Sequence, residues 1–316
     1  MKILITRILP DSVLDAARSL GDVTERRAPT PLSSDEARAA LKTYDVILPT
    51  LGDAFGAATF QDIAPKTKLI ANFGVGYNHI DAAAAKSLGI AVTNTPGAVT
   101  DATADIALML ILMTSRRASE GERLVRNGEW TGWHPVQLLG QHLGGKTLGI
   151  VGMGRIGKAI AKRAHFGFGM DIAFYNRSPV ADPGTPAVQD DDIKTLASQA
   201  DVLVMAVPAT PATHHMLNGD VLSAMKPTAH VVNIARGDVV DETALATALE
   251  HGQIAGAGLD VYEFEPKVPE ALLKLENVAL LPHLGTAALE VRENMGMMAV
   301  ANIQAFLRGN PLPNPV

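Results

Sequence analysis

One stretch restricts the possible folds more than any other: KTLGIVGMGRIGKAIAKRA, residues 146–164. It admits two readings. Gly152, Gly154 and Gly157 spell G-x-G-x-x-G, the turn of a dinucleotide-binding βαβ unit, while Gly152, Gly157 and Lys158 spell most of the P-loop pattern G-x-x-x-x-G-K. The P-loop needs Ser or Thr after its lysine, because that hydroxyl coordinates Mg²⁺. Ala159 stands there, and a methyl group binds no metal. The dinucleotide reading has the context it needs: the apolar run LGIV before Gly152 and the helical pattern IGKAIAKRA after it. In such a turn the first glycine makes the bend, the second lets backbone approach a pyrophosphate, and the third permits close helix–strand packing. The helix N-terminus then presents N–H groups and a positive dipole to the phosphates.

A turn of this kind belongs between parallel strands, and the chain alternates accordingly. KILIT, YDVILPT, TKLIANF and GIAVTN read as strands in the first third; KTLGIVG, MDIAFYN, ADVLVMAVP, AHVVNIA, GAGLDV and NVALLPH read as strands from residue 146 onward. Helical patterns separate them, including PLSSDEARAALK, which offers Ser33 or Ser34 as a cap ahead of Glu36. Such alternation implies parallel sheets with crossover helices. Pro96 and Gly97 mark a boundary. From Asp101 the apolar positions keep helical spacing for about 25 residues, which predicts one long helix ending before Gly128. A length of 316 residues suits two domains. The expected fold class is α/β, with two doubly wound parallel-sheet domains.

Composition excludes several classes of chemistry. There is no cysteine, hence no disulfide and no thiol catalysis. The net charge is -6 with lysine and arginine spread along the chain, which argues against nucleic acid as a partner. The start MKILITRILPD is too short an apolar run for a signal peptide, and IALMLILM at 106–113 falls well short of the ~20 residues that span a bilayer. No membrane association is expected, and the cytoplasm is the expected location. Neither H-E-x-x-H nor G-x-S-x-G occurs. The acidic run at 190–192 reads as solvated surface at a helix start. His214 and His215 are adjacent and read as loop surface, since neighbouring side chains do not easily converge on one ion. No metal site is expected.

The choice of nucleotide follows from the strand after the glycine turn. A carboxylate about 20 residues on takes the ribose 2′-hydroxyl of NAD. Here the strand MDIAFY ends in Asn176, Arg177 and Ser178, with no Asp or Glu. Arg177 can pair with a 2′-phosphate, and Asn176 and Ser178 can donate hydrogen bonds to it. NADP(H) is therefore the expected cofactor, with NAD(H) possible.

Three residues just past later strands suit chemistry on a bound substrate: Arg236 in VVNIARGDVVD, Glu265 in GLDVYEFEP and His283 in LLPHLGTAA. Ligands of doubly wound sheets sit outside the carboxyl ends of the strands, where all three would lie. With NFGVGYNHID, VTNTPGAVTDATAD and GIVGMGRIGKAIAKRA, these blocks fall in an order that resembles the D-isomer-specific 2-hydroxyacid dehydrogenases, in particular the glyoxylate/hydroxypyruvate reductase branch.

The resemblance covers nearly the whole chain and carries further expectations. It implies a Rossmann cofactor domain, residues 98–286, inserted in a flavodoxin-like substrate domain made of residues 1–97 and 287–316. A homodimer is usual, paired partly through the long helix. His283 would be the general acid that protonates the carbonyl oxygen, and Glu265 would orient it and favour its charged form. Arg236 would grip the substrate carboxylate, helped by the backbone N–H groups of Val75 and Gly76. The cofactor would lie against Gly152, Gly154, Arg155, Ile156 and Gly157, the 176–178 segment, and Thr103, Pro208, Thr213, Ile234, Ala235, Asp260 and Gly285. In GEWTGWHPVQLLG, Trp133 could reach a partner subunit's active site as a lid, or pack in the interface. The activity implied is reduction of a small 2-keto acid such as glyoxylate or hydroxypyruvate. A corepressor-like protein that binds NAD(P) without turnover is the alternative on the same fold. Formate oxidation is disfavoured, because that branch pairs its histidine with glutamine rather than with a glutamate such as Glu265.

Overall fold

The computed structural model describes residues 1–316 and divides the chain into two compact units, Met1–Val99 with Thr286–Val316, and Thr100–Gly285. The first unit holds β1 (Lys2–Ile5), β2 (Asp22–Glu25), β3 (Val46–Leu48), β4 (Leu69–Ala71) and β5 (Ala91–Thr93), in the sheet order β2-β1-β3-β4-β5. All its pairs are parallel. This is the flavodoxin-like order. Helix Leu289–Leu307 belongs to the same unit: its Ala299, Val300 and Ile303 are buried with Ile3, Ile5 and Leu69 in one core.

The second unit holds β6 (Thr147–Val151), β7 (Asp171–Tyr175), β8 (Val188–Asp190), β9 (Val202–Met205), β10 (His230–Asn233), β11 (Gly256–Leu259) and β12 (Val278–Leu280). The order is β12-β11-β10-β9-β6-β7-β8, again all parallel. Counted within the unit this is the Rossmann order with a seventh strand added, and direction reverses between β6 and β9. The central strands are buried on both faces, which is why LGIV, VLVM and HVVN read as continuous apolar runs.

One expectation about elements fails, and two strands were not foreseen. The long helix from Asp101 is two helices, Thr100–Ser115 and Ala118–Arg126, broken at Arg117, which is left-handed with φ 52. The Ser115 carbonyl accepts from the N–H of Gln141 at 2.7 Å rather than continuing the helical ladder, and Gly140 supplies the close approach that this needs. The first helix buries Ala104, Ala107, Leu110 and Ile111 against the sheet; the second buries nothing. The edge strands β2 and β8 gave no usable signal, because they are short and half-exposed. The acidic run has a structural role as well: Asp192 caps helix Ile193–Gln199 by accepting from the Thr195 N–H.

His230, at the start of β10, is 5% exposed, and burial lowers its imidazole from 6.5 to about 4. Between those values the unfolded chain takes up a proton that the folded chain refuses. The stability held by the neutral ring is full above the upper value and is lost as pH falls towards the lower. The expected loss is about 3 kcal/mol, read as the slope of unfolding free energy against pH. The slope should flatten over this window in His230→Gln.

Candidate active site

The glycine turn follows β6 and leads into helix Arg155–Phe168. Gly152 has φ +103, and a Cβ there would meet the Ala206 carbonyl oxygen at 2.7 Å. A Cβ on Gly157 would overlap the Gly152 carbonyl oxygen, so the third glycine is what seats the helix on the strand. Gly154 is different: no protein atom lies within 4 Å of where its Cβ would be. The space there is open to a ligand. The helix has no capping side chain at Gly154, and Arg155 and Ile156 in its first turn are exposed and half-buried. This cradle fits a pyrophosphate.

At the end of β7 the three candidate residues separate. The Asn176 side chain is engaged within the protein, its oxygen accepting from the Met153 N–H at 3.2 Å and its amide donating to the Ser178 carbonyl at 2.8 Å. These bonds tie the glycine turn to the strand end and use only one of the two amide hydrogens of Asn176. Arg177 and Ser178 are exposed. The neighbouring strand ends in Asp190, opposite Tyr175, with its carboxylate hydrogen-bonded by Gln199.

After β9, the Thr213 hydroxyl donates to the Pro208 carbonyl at 2.7 Å and accepts from the Thr210 N–H at 2.9 Å, which staples the 208–213 loop. His214 and His215 follow. Both lie in a turn at the surface, where His215 is left-handed with φ 47 and the two rings stack with centroids 4.0 Å apart.

Beyond β10, Ile234 and Ala235 are buried and Arg236 is half-buried. Asn233 braces this turn, its oxygen accepting from the Ala235 N–H at 3.0 Å and its amide donating to the Arg236 carbonyl at 2.9 Å. Gly237 lies directly on the Tyr262–Glu263 peptide, where any Cβ would overlap backbone atoms. That contact brings Arg236 close enough to Glu265 for their charges to interact. Burial pulls the Arg236 guanidinium down, against the upward pull of Glu265 and Asp238.

His283 sits past β12 with φ 56. Its Nδ1 bonds Glu265 Oε2 at 2.9 Å and Oε1 at 3.1 Å. Burial pushes the Glu265 carboxyl up, but the His283 bond and charge, the Tyr262 N–H and Arg236 together hold it below its usual range. Asp260, buried at the end of β11, accepts from the Leu284 N–H at 2.6 Å and the Gly285 N–H at 2.8 Å. The Thr103 hydroxyl donates to the Gly285 carbonyl at 3.1 Å. Asp260, Gly285 and Thr103 thus lock one another and hold His283 in its left-handed turn. With Nδ1 committed to Glu265, Nε2 is the nitrogen left to exchange a proton.

In the first unit, Asn72 donates to the carbonyls of Gly74 and Gly76 at 2.9 and 3.0 Å, and Asn94 donates to that of Val75 at 2.9 Å. In a trans peptide the N–H points opposite the preceding carbonyl. Pinning Gly74 and Val75 therefore turns the N–H groups of Val75 and Gly76 the other way. Trp133, at 80%, is among the most exposed large side chains of its unit. Reading the sequence missed Gly237, Asn233, Asn72 and Asn94. Only Gly237 left a sign, as a glycine directly after a candidate arginine.

Comparison with known proteins identifies the family. The family model for the D-isomer specific 2-hydroxyacid dehydrogenase NAD binding domain matches residues 108–285. The glyoxylate reductase of Thermococcus litoralis is 43% identical over 100% of this chain and 96% of its own. That of Pyrococcus horikoshii is 42% identical over 100% and 95%. An NADPH-dependent glyoxylate/hydroxypyruvate reductase from Sinorhizobium meliloti, solved with NADP and malonate, superposes with a TM-score of 0.88 at 36% identity, covering 100% of this chain and 96% of that one. On its sequence, its two parallel sheets and the full-length match to these relatives, the chain belongs to the D-isomer specific 2-hydroxyacid dehydrogenase family.

Proposed function

We propose that the protein reduces a small 2-keto acid, glyoxylate or hydroxypyruvate, to the D-2-hydroxy acid with NADPH. The observation that carries this reading is the His283–Glu265 pair at 2.9 Å, with Arg236 held beside Glu265 by the Gly237 contact. The nicotinamide supplies the hydride when bound. Arg236 takes the substrate carboxylate and polarises the carbonyl, because a guanidinium stays charged and can meet a carboxylate with two donors. Protonated His283 gives up its Nε2 proton to the carbonyl oxygen as negative charge builds there. Glu265 holds the ring in place and balances its charge. We assign the N–H groups of Val75 and Gly76 to the substrate carboxylate as well, on the pinned carbonyls of their loop.

The glycine turn, Thr213, Pro208 and the strand-end residues Ile234 and Ala235 are the proposed nucleotide contacts, with Asp260, Gly285 and Thr103 shaping the reacting end. Preference for NADPH rests on the exposed Arg177 at the end of β7, where no carboxylate occupies positions 176–178. We assign the homodimer to helix Ala118–Arg126 and the segment after it, where Val125 is 60%, Val136 71% and Leu139 65% exposed. Trp133 lies in that segment, as a lid over the partner's site. No helix is long and apolar enough to cross a membrane.

The test is a 340 nm assay of the purified protein with NADPH and NADH against glyoxylate, hydroxypyruvate, pyruvate and phenylpyruvate. Nucleotide binding without oxidation under any substrate would instead support the corepressor-like reading. Arg177→Asp should reverse the cofactor preference, lowering kcat/KM with NADPH by about tenfold or more, the worth of one charge-assisted contact. An unchanged ratio of NADPH to NADH efficiency would remove Arg177 from the phosphate site.

A further inference from the structure

We propose that His214, His215 and Glu263 form a binding site for a divalent transition metal of the Zn²⁺ type, built from residues with no part in the reduction itself. Their three ligand atoms all lie within 4.8 Å of one another. His215 Nε2 and Glu263 Oε1 are 3.2 Å apart. A metal 2.0–2.1 Å from each donor holds its ligands about 3.4 Å apart, so the His215–Glu263 pair already has the spacing. His214 is exposed, and its ring has to turn about its side-chain bonds to complete the set.

The arrangement depends on one backbone feature. In extended or helical chain, neighbouring side chains point apart. The left-handed His215 turns its ring onto that of His214, with 26° between the planes. A non-glycine residue in this region is strained, and persists only where its surroundings fix it. Here the His215 N–H donates to the Asp238 carbonyl at 2.8 Å and the His214 N–H to the Thr210 carbonyl at 3.1 Å. The backbone that carries both rings is thus held in place before any ion arrives.

The donor chemistry is selective. Two imidazoles and one carboxylate suit Zn²⁺, Ni²⁺ or Cu²⁺, and not Ca²⁺ or Mg²⁺, which need more oxygen ligands. Three protein ligands leave a coordination position to water. Behind them lies Glu242, 5% exposed, whose carboxylate accepts from the Glu263 N–H at 3.0 Å. Its charge and that of His215 interact. This second carboxylate orients the Glu263 segment and adds negative charge behind a bound cation.

The test uses full-length protein carrying no affinity tag, titrated with Zn²⁺ by calorimetry and with Co²⁺ by visible absorption. One ion should bind per chain with a dissociation constant in the micromolar range. His214→Ala and Glu263→Gln should each weaken it by about tenfold or more, and the Co²⁺ absorption bands should change in both. His134→Ala, at another exposed histidine, should bind as the unaltered chain does. No binding in this range, binding unchanged in both site variants, or loss in His134→Ala instead would each overturn the assignment.

Discussion

His283→Asn is expected to lower kcat for keto acid reduction by about 10²–10⁴-fold, the usual contribution of a positioned general acid. Asparagine is the informative replacement because residue 283 has φ 56, a conformation asparagine adopts more readily than alanine does. The turn is held from below by Asp260, through the N–H groups of Leu284 and Gly285, so it should survive the change. Nucleotide affinity, read by quenching or energy transfer on mixing with NADPH, should stay within about twofold, since a loss of less than half a kcal/mol is ordinary for a change outside a binding contact. A variant with intact binding and a kcat within tenfold of the parent would take His283 out of the chemistry.

Gly237→Ala should carry the largest structural cost of any single methyl in the second unit. A Cβ there would occupy the space of the Tyr262–Glu263 peptide, which belongs to a backbone path fixed at both ends. Its neighbours cannot relax as a side-chain tip would. Tyr262 is anchored through its hydroxyl to the carbonyls of Leu259 and Leu281, and Glu263 through its N–H to the buried Glu242 carboxylate. Overpacking of this kind costs about 3 kcal/mol or more, measured as a shift in denaturant midpoint. Any folded fraction should also lose activity, because separating the two segments moves Arg236 from Glu265. Gly167→Ala is the matched control: nothing lies within 4 Å of its Cβ position in helix Arg155–Phe168, so the same methyl should be neutral or stabilising by about 0.5–1 kcal/mol. Equal stability of the two variants would show that the close approach at Gly237 is not a constraint.

The parts of this protein written plainly in its sequence are those where one physical demand fixes several residues in a row. A central parallel strand must be apolar on both faces, so LGIV and VLVM announce themselves. The glycine turn must bend and pack closely within six residues, and its spacing survives as a pattern. The groups that position the chemistry are harder to see. Asn72 and Asn94 act on carbonyls of one loop from two different strand ends, and Asn233 acts on its own turn. Nothing local distinguishes them from any asparagine near a turn. The break at Arg117 was hidden for the same reason, since it depends on Gly140 and Gln141 arriving at the Ser115 carbonyl from elsewhere in the chain. The stacking of the His214 and His215 rings was equally hidden, because it turns on one dihedral angle, which sequence spacing does not report.

The first sheet shares its core with Ala299, Val300 and Ile303, residues far downstream of its strands. Everything from Thr100 to Gly285 leaves the ribosome before them. During synthesis the earliest strands must therefore wait, their apolar face uncovered, while the later-made Rossmann unit completes itself. The opening hundred residues should accordingly stay open to protease until helix Leu289–Leu307 emerges and closes over them.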